Sequence, residues 1–155
     1  MDLDLITTRD GSHTLEVPSL KERYHSIHGA IQESKHVFIE MGLCHFSSGP
    51  ISILEVGFGT GLNAFLTFLE TTDQEILINY HALEPFPLPF SWTTKLNYLQ
   101  LLKAGKFQEI FNLSNLKVVK SIIDNSAQKL KIRKLFNTKL KITKNPKIKF
   151  GDKYG

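Results

Sequence analysis

The sequence predicts an α/β fold, a parallel sheet with flanking helices preceded by an N-terminal β-hairpin, and three observations carry that prediction. Ile51 to Val56 is a largely apolar run of the kind a buried parallel strand presents. Leu62 to Leu69 places apolar residues at helical spacing, and Ile76 to Leu83 returns to a strand-like run. Between the first strand and the helix lies Gly57-Phe58-Gly59-Thr60-Gly61, whose glycines permit backbone conformations closed to other residues.

The elements follow in order. Residues 3–17 read as a hairpin turning at Asp10-Gly11, a strong turn dipeptide. Residues 27–44 read as one helix, with Ile27, Ala30, Ile31, Val37, Phe38 and Met41 on its apolar side. Ser47-Ser48-Gly49-Pro50 breaks the chain. Strand 51–56, helix 61–71 and strand 76–83 then make a βαβ unit with a right-handed crossover. Pro85 has no N–H to give a ladder and ends the second strand, Phe86 to Phe90 is a stiff loop, and 92–112 reads mostly as helix. Residues 117–123 and 129–136 read as strand or helix, and no internal repeat occurs. The expected organisation is an extension at 1–50, a ligand-binding core at 51–116 and a basic segment at 117–155, all one structural domain.

A glycine loop at a helix N-terminus suits a nucleotide-like ligand, because the backbone can approach it closely and the helix start leaves N–H groups free. The alternative is a tight strand–helix connection without a ligand. A dinucleotide fingerprint, Gly-x-Gly-x-x-Gly, requires glycine at position 62, but Leu62 stands there and Gly61 comes one residue early. Glu84 ends the second strand about one βα unit downstream, where a carboxylate can accept ribose hydroxyls. It also reads as a plain surface glutamate at a strand end.

The order Glu55-x-Gly57-x-Gly59-x-Gly61 resembles the first motif of class I S-adenosylmethionine (SAM) methyltransferases, whose loop passes under the amino-acid end of SAM. Three further blocks lie in one order: Thr7-Thr8-Arg9-Asp10-Gly11-Ser12-His13-Thr14-Leu15, Glu22 to Ile39, and Glu84-Pro85-Phe86-Pro87. Together they resemble the MnmC-like family over about residues 5–112. Its members are SAM-dependent methyltransferases that finish 5-methylaminomethyl-2-thiouridine at the tRNA wobble position. Some stand alone, as the opening block here suggests, and others are fused to an FAD-dependent oxidase domain. The resemblance implies a partial Rossmann-like class I methyltransferase fold, SAM as cofactor and tRNA as partner. It also implies an oxidoreductase in the same modification pathway and a cytoplasmic location.

Residue by residue, Gly57, Phe58, Gly59, Thr60 and Gly61 match the family's SAM loop, with Glu55 and Asn63 flanking it, and Glu84 matches its ribose acid. Gly29 to Phe38 matches the segment that folds over the cofactor, with Glu33 as its polar contact. Glu33 also reads as a surface partner of Lys35 or His36, His25 as a helix-surface residue, and His28 as either a cofactor-side or a helix-surface residue.

One block is missing. Similar proteins carry Asp-x-Phe-x-Pro, then Gln-Pro-Glu and an aromatic residue, with the Asp where the methyl group meets the substrate amine. Nothing here matches it, and Asp152 lies out of order in Phe150-Gly151-Asp152-Lys153-Tyr154-Gly155. The expectation is a truncated copy with no assignable catalytic residue. A non-catalytic SAM-binding remnant is the alternative, and a nicotinamide-dependent oxidoreductase is disfavoured by Leu62.

Charge divides at the same place. Residues 1–116 hold 7 Lys+Arg against 13 Asp+Glu, whereas 117–155 hold 12 against 2. The alternating run Lys139 to Lys149 puts its lysines on one strand face, where they can meet tRNA phosphates through salt-sensitive contacts. The same lysines suit an edge segment that discourages pairing, or a tail generated by a frameshift. The single cysteine, Cys44, excludes an internal disulfide and reads as a small apolar filler. The histidines show no metal-ligand spacing. No signal peptide and no run of membrane-spanning length is seen. Phe65, Phe68, Phe107 and Phe111 read as core, while Phe86, Phe90 and Trp92 read as either core or adenine wall.

Overall fold

Alternation sets the first element. In the computed structural model, which describes residues 2–74 and 76–112 and the backbone of 139–143, β1 (Asp4–Thr7) pairs antiparallel with β2 (His13–Val17), Asp4 opposite Glu16 and Thr7 opposite His13. Leu15 and Val17 turn inward, and Gly11 takes a left-handed φ of 82° at the predicted turn. A third strand that the sequence did not announce, β3 (Glu22–Arg23), pairs with the end of β2.

The predicted helix over 27–44 is shorter and of mixed type. Arg9 N–H donates to Ile27 C=O, which ties the start of that stretch to the hairpin and keeps it out of a helix. The α-helix α1 (Ala30–Glu33) begins where the hairpin turn supplies caps. Ser12 Oγ accepts the N–H groups of Ala30 and Ile31, and Asp10 Oδ2 accepts that of Gln32. Gly29 is needed at this junction, since a Cβ there would lie 2.6 Å from Asp10 Oδ2. The chain then widens into a π-helical stretch, Ser34–Glu40, continued by the N–H of Met41 donating to His36 C=O at 3.0 Å. A 3-10 turn, Leu43–His45, points Leu43 inward and leaves Cys44 exposed, which corrects its reading as a buried filler.

The βαβ unit forms as predicted. β4 (Ile51–Val56) runs parallel to β5 (Ile78–Leu83), from Ile51 opposite Ile78 to Val56 opposite Leu83, with α2 (Leu62–Thr71) between them. Ile51, Glu55, Ile78, Tyr80 and Ala82 are buried, as are Leu62, Phe65 and Leu66 of α2. Phe65 meets Phe111 edge-on at 5.1 Å and Phe68 meets Phe107 at 5.0 Å, so this quartet is core packing.

The expected helix over 92–112 is broken into α3 (Phe90–Thr93), α4 (Tyr98–Leu101), a 3-10 turn (Gly105–Phe107) and a last turn at 108–112. Asn97 explains the first break. Its Oδ1 accepts the His13 N–H and its Nδ2 donates to Gly11 C=O, so the hairpin holds it fast from across the sequence. Lys103, with φ 52°, turns the chain after α4.

β6 (Lys139–Thr143) runs parallel to β5 on the side away from β4, giving the sheet order β4-β5-β6. The expectations for 117–123 and 129–136, and for the rest of the lysine run, lie outside the described residues. Among the described residues no helix is long and apolar enough to cross a membrane.

Candidate functional site

The site is built where β4 and β5 end. Gly57, Gly59 and Gly61 all take left-handed φ values, 86°, 52° and 78°, and no other residue type holds three such positions in five without strain. Gly57 N–H donates to Leu83 C=O, tying the loop to β5. Gly61 caps α2, and the N–H of Phe65 returns to its carbonyl. Glu84 closes the loop from the other side. Its Oε2 accepts the Gly59 N–H and its Oε1 the Phe86 N–H, both at 2.9 Å.

Over this loop lies a cavity of about 410 Å³ walled by the glycine loop and α2 below and by Tyr24 to Phe38 above. Of the nine residues the sequence nominated, Glu33, Glu55, Gly57, Phe58, Gly59, Thr60, Asn63 and Glu84 line it. Gly61 does not; it is buried behind the wall as the helix cap. Glu33 pairs with neither Lys35 nor His36. It accepts the Ser26 N–H at 2.8 Å, while His36 pairs with Glu40.

Of the groups at the cavity with shifted proton affinities, Glu55 and His25 bear most on its charge. Glu55 is buried, accepting the Tyr80 hydroxyl on Oε2 at 3.0 Å and the Asn63 amide on Oε1 at 3.1 Å. Burial pushes its carboxyl up to about 7 against the pull of those two donors, and nearby Glu84 adds to the rise. Burial likewise lowers His25 to about 4, against the nearby Glu33 charge, so its ring is neutral at pH 7. Asn63 Oδ1 is buried and accepts no hydrogen bond from any described residue. Among the described residues no Lys or Arg lines the cavity and no cluster suited to a metal ion occurs.

No family model matches the chain. It is 37% identical over 73 residues to the "tRNA 5-methylaminomethyl-2-thiouridine biosynthesis bifunctional protein MnmC" of Leptospira borgpetersenii serovar Hardjo-bovis, in both strain JB197 and strain L550. That match covers 42% of this chain and 11% of each relative, so the chain matches only a small part of their length. Its fold matches the crystal structure of MNMC2 from Aquifex aeolicus with a TM-score of 0.56 and 21% identity, over 94% of this chain and 43% of that one. Over those 73 residues the chain is similar to MnmC proteins.

The sequence reading missed three features at the cavity. Tyr24 packs its ring on Gly59, where an added Cβ would come within 3.0 Å of Cδ1. The signal lay in Tyr24-His25, inside the block read only as a segment folding over the ligand. His25 was read as a surface residue, but it lines the cavity and its Nδ1 meets Thr14 Oγ1 at 3.1 Å. His28, by contrast, is exposed. Tyr80 is the donor that a buried glutamate on an apolar strand requires, and a tyrosine in the next strand was the clue. Phe86, Phe90 and Trp92 are absent from the cavity wall: Phe86 is exposed, and Trp92 packs on the core with Lys95 Nζ over its ring at 3.9 Å.

Proposed function

We propose that this chain binds S-adenosylmethionine in the glycine-loop cavity and belongs functionally to methylation of 5-aminomethyl-2-thiouridine at the tRNA wobble position. One observation carries the cofactor choice. The described residues that line the cavity include Glu33, Glu55 and Glu84 and a neutral histidine, and no Lys or Arg is among them. A pyrophosphate there would meet carboxylates without a counter-charge, whereas a ligand with an ammonium and a sulfonium is attracted.

The residues present fit that ligand. Asn63 Oδ1 is a buried acceptor in need of a donor, and an amino-acid ammonium supplies one. Gly57 and Gly59 keep the backbone low enough for close approach. Leu62, 1% exposed, fills with side chain the position where a dinucleotide fold needs glycine. Glu84 retains lone pairs for ribose hydroxyls while pinning Gly59. Tyr24 shields the loop from above. When bound, SAM supplies an electrophilic methyl group. The chain's own part is to hold and orient that group and to exclude water from it.

The lysine-rich 117–155 segment, net +10, is the part of the chain suited to tRNA phosphates. The substrate-orienting Asp-x-Phe-x-Pro block does not occur in this sequence, so cofactor binding is the sharper test. Calorimetric titration with S-adenosylhomocysteine and with NAD gives binding of the first and none of the second. Tight NAD binding without S-adenosylhomocysteine binding overturns the proposal.

A further inference from the structure

β4 ends the described sheet, and its outer edge pairs with nothing among the described residues. Ile51 N–H donates to Leu77 C=O and Gly57 N–H to Leu83 C=O, so Ile51, Ile53 and Glu55 turn their backbone groups towards β5. By the two-residue period, Ser52, Leu54 and Val56 turn their N–H and C=O groups the other way. Those groups form a row of free donors and acceptors. The three side chains share the face opposite the buried Ile51 and Glu55, and all are exposed, Leu54 at 65% and Val56 at 76%.

Nothing in this edge discourages pairing. Lysine on an edge strand repels an incoming strand, and β6 at the other end of the described sheet carries Lys139 and Lys141. The Ser52, Leu54 and Val56 row carries no charge, and neither glycine nor proline interrupts β4. An uncharged row suits a strand that meets its own copy, because a two-fold axis sets a surface against itself and any charge against a like one.

A two-fold axis through Leu54, normal to the sheet, uses the whole edge. Leu54 then exchanges two hydrogen bonds with its own counterpart. Ser52 exchanges two with Val56 of the second copy, and Val56 two with Ser52, which satisfies every free group of the row. A register shifted by two residues sets Val56 against Pro50, which has no N–H, or Ser52 against Phe58, which lies beyond the strand. Either shift leaves groups unpaired.

We infer that this chain pairs with a second copy of itself through β4, antiparallel about Leu54, joining the two sheets into one. The inference does not depend on what the cavity binds. The joined edge is about 20 Å long and about 10 Å deep. That is well under the about 800 Å² that each partner buries in a standard stable interface. The dimer is therefore reversible and forms as concentration rises.

Sedimentation velocity of the full chain should show monomer giving way to dimer with increasing concentration. Leu54→Lys, at an exposed position, sets the new charge against its own copy and should raise the transition concentration by about tenfold or more. Val56→Lys meets Ser52 instead and should raise it less. Hydrogen exchange should slow with concentration at Ser52, Leu54 and Val56 but not at Ile53 or Glu55, which β5 already holds. In a Cys44→Ser background, mild oxidation should crosslink Leu54→Cys to its counterpart and leave Val56→Cys uncrosslinked; this test stands even if the lysine variants fail to fold. A monomer at every concentration, a dimer indifferent to Leu54→Lys in a folded variant, or crosslinking at Val56 rather than Leu54 overturns the inference. Assemblies that grow beyond the dimer also overturn it, since a two-fold contact closes on itself.

Discussion

Replacing Glu84 with alanine is the most direct perturbation of the glycine loop. The Glu84 carboxylate is 7% exposed and accepts the N–H groups of Gly59 and Phe86, both at 2.9 Å. The Phe86 amide sits beside an exposed side chain and can turn to water, so the Gly59 bond carries most of the effect. A hydrogen bond to a charged acceptor contributes about 1.5–3 kcal/mol, and alanine leaves the Gly59 donor with no protein acceptor at that point. For a chain of this size about 1 kcal/mol moves Tm by roughly 2–4 °C, so Tm should fall by about 3–12 °C. The loop that Gly59 anchors is also the floor of the cavity. Affinity for S-adenosylhomocysteine should therefore fall about tenfold or more, since about 1.4 kcal/mol is a factor of ten. Glu84→Gln keeps an acceptor oxygen for one amide and should fall between the two. Calorimetric titration and a thermal melt on the same samples measure both effects. A folded Glu84→Ala variant with unchanged Tm and affinity would show that the carboxylate neither pins the loop nor meets the ligand.

Gly59→Ala should destabilise by about 1 kcal/mol or more, because the left-handed φ of 52° and Tyr24 at 3.0 Å both oppose a Cβ; a chemical denaturation midpoint equal to the parent's would refute this. Asn97→Ala removes two bonds to the hairpin and should cost about 1–3 kcal/mol, read as faster hydrogen exchange at His13. Protection at His13 that does not change would mean the hairpin is held elsewhere. Asp10 is pushed up by burial but held below its ordinary value by the Ser12 hydroxyl, the backbone N–H groups of Gln32 and Ser12, and Thr8. Its folded-state value is therefore depressed. Its contribution is present above about pH 4 and is lost as pH falls through the lowered value. Asp10→Asn should accordingly show a smaller loss of urea stability between pH 5 and pH 2.5 than the parent, and an identical loss would refute the assignment.

The sequence by itself determined the βαβ unit, its glycine loop, the acid at the end of β5 and the hairpin turn at Asp10-Gly11. Each is local: a strand period, a helix period, or a backbone angle that glycine alone takes readily. The resemblance also nominated Glu33 and Asn63, which line the same cavity as the loop. What it could not determine were contacts between residues far apart in the chain. Asn97 is unremarkable in a helical pattern until the hairpin takes both ends of its amide and breaks the helix. Ser12 and Asp10 look like turn residues, yet they decide where α1 begins. His25 has the spacing of a surface histidine, and only the closure of the 24–38 segment over the loop partly buries it and lowers its proton affinity. Glu55 is the clearest case. Its place before the glycines is legible, but its proton affinity depends on Tyr80 from the next strand and on the apolar core around it. Periodicity reports which face of an element is buried, whereas the free energy of a buried charge depends on what the tertiary fold brings against it.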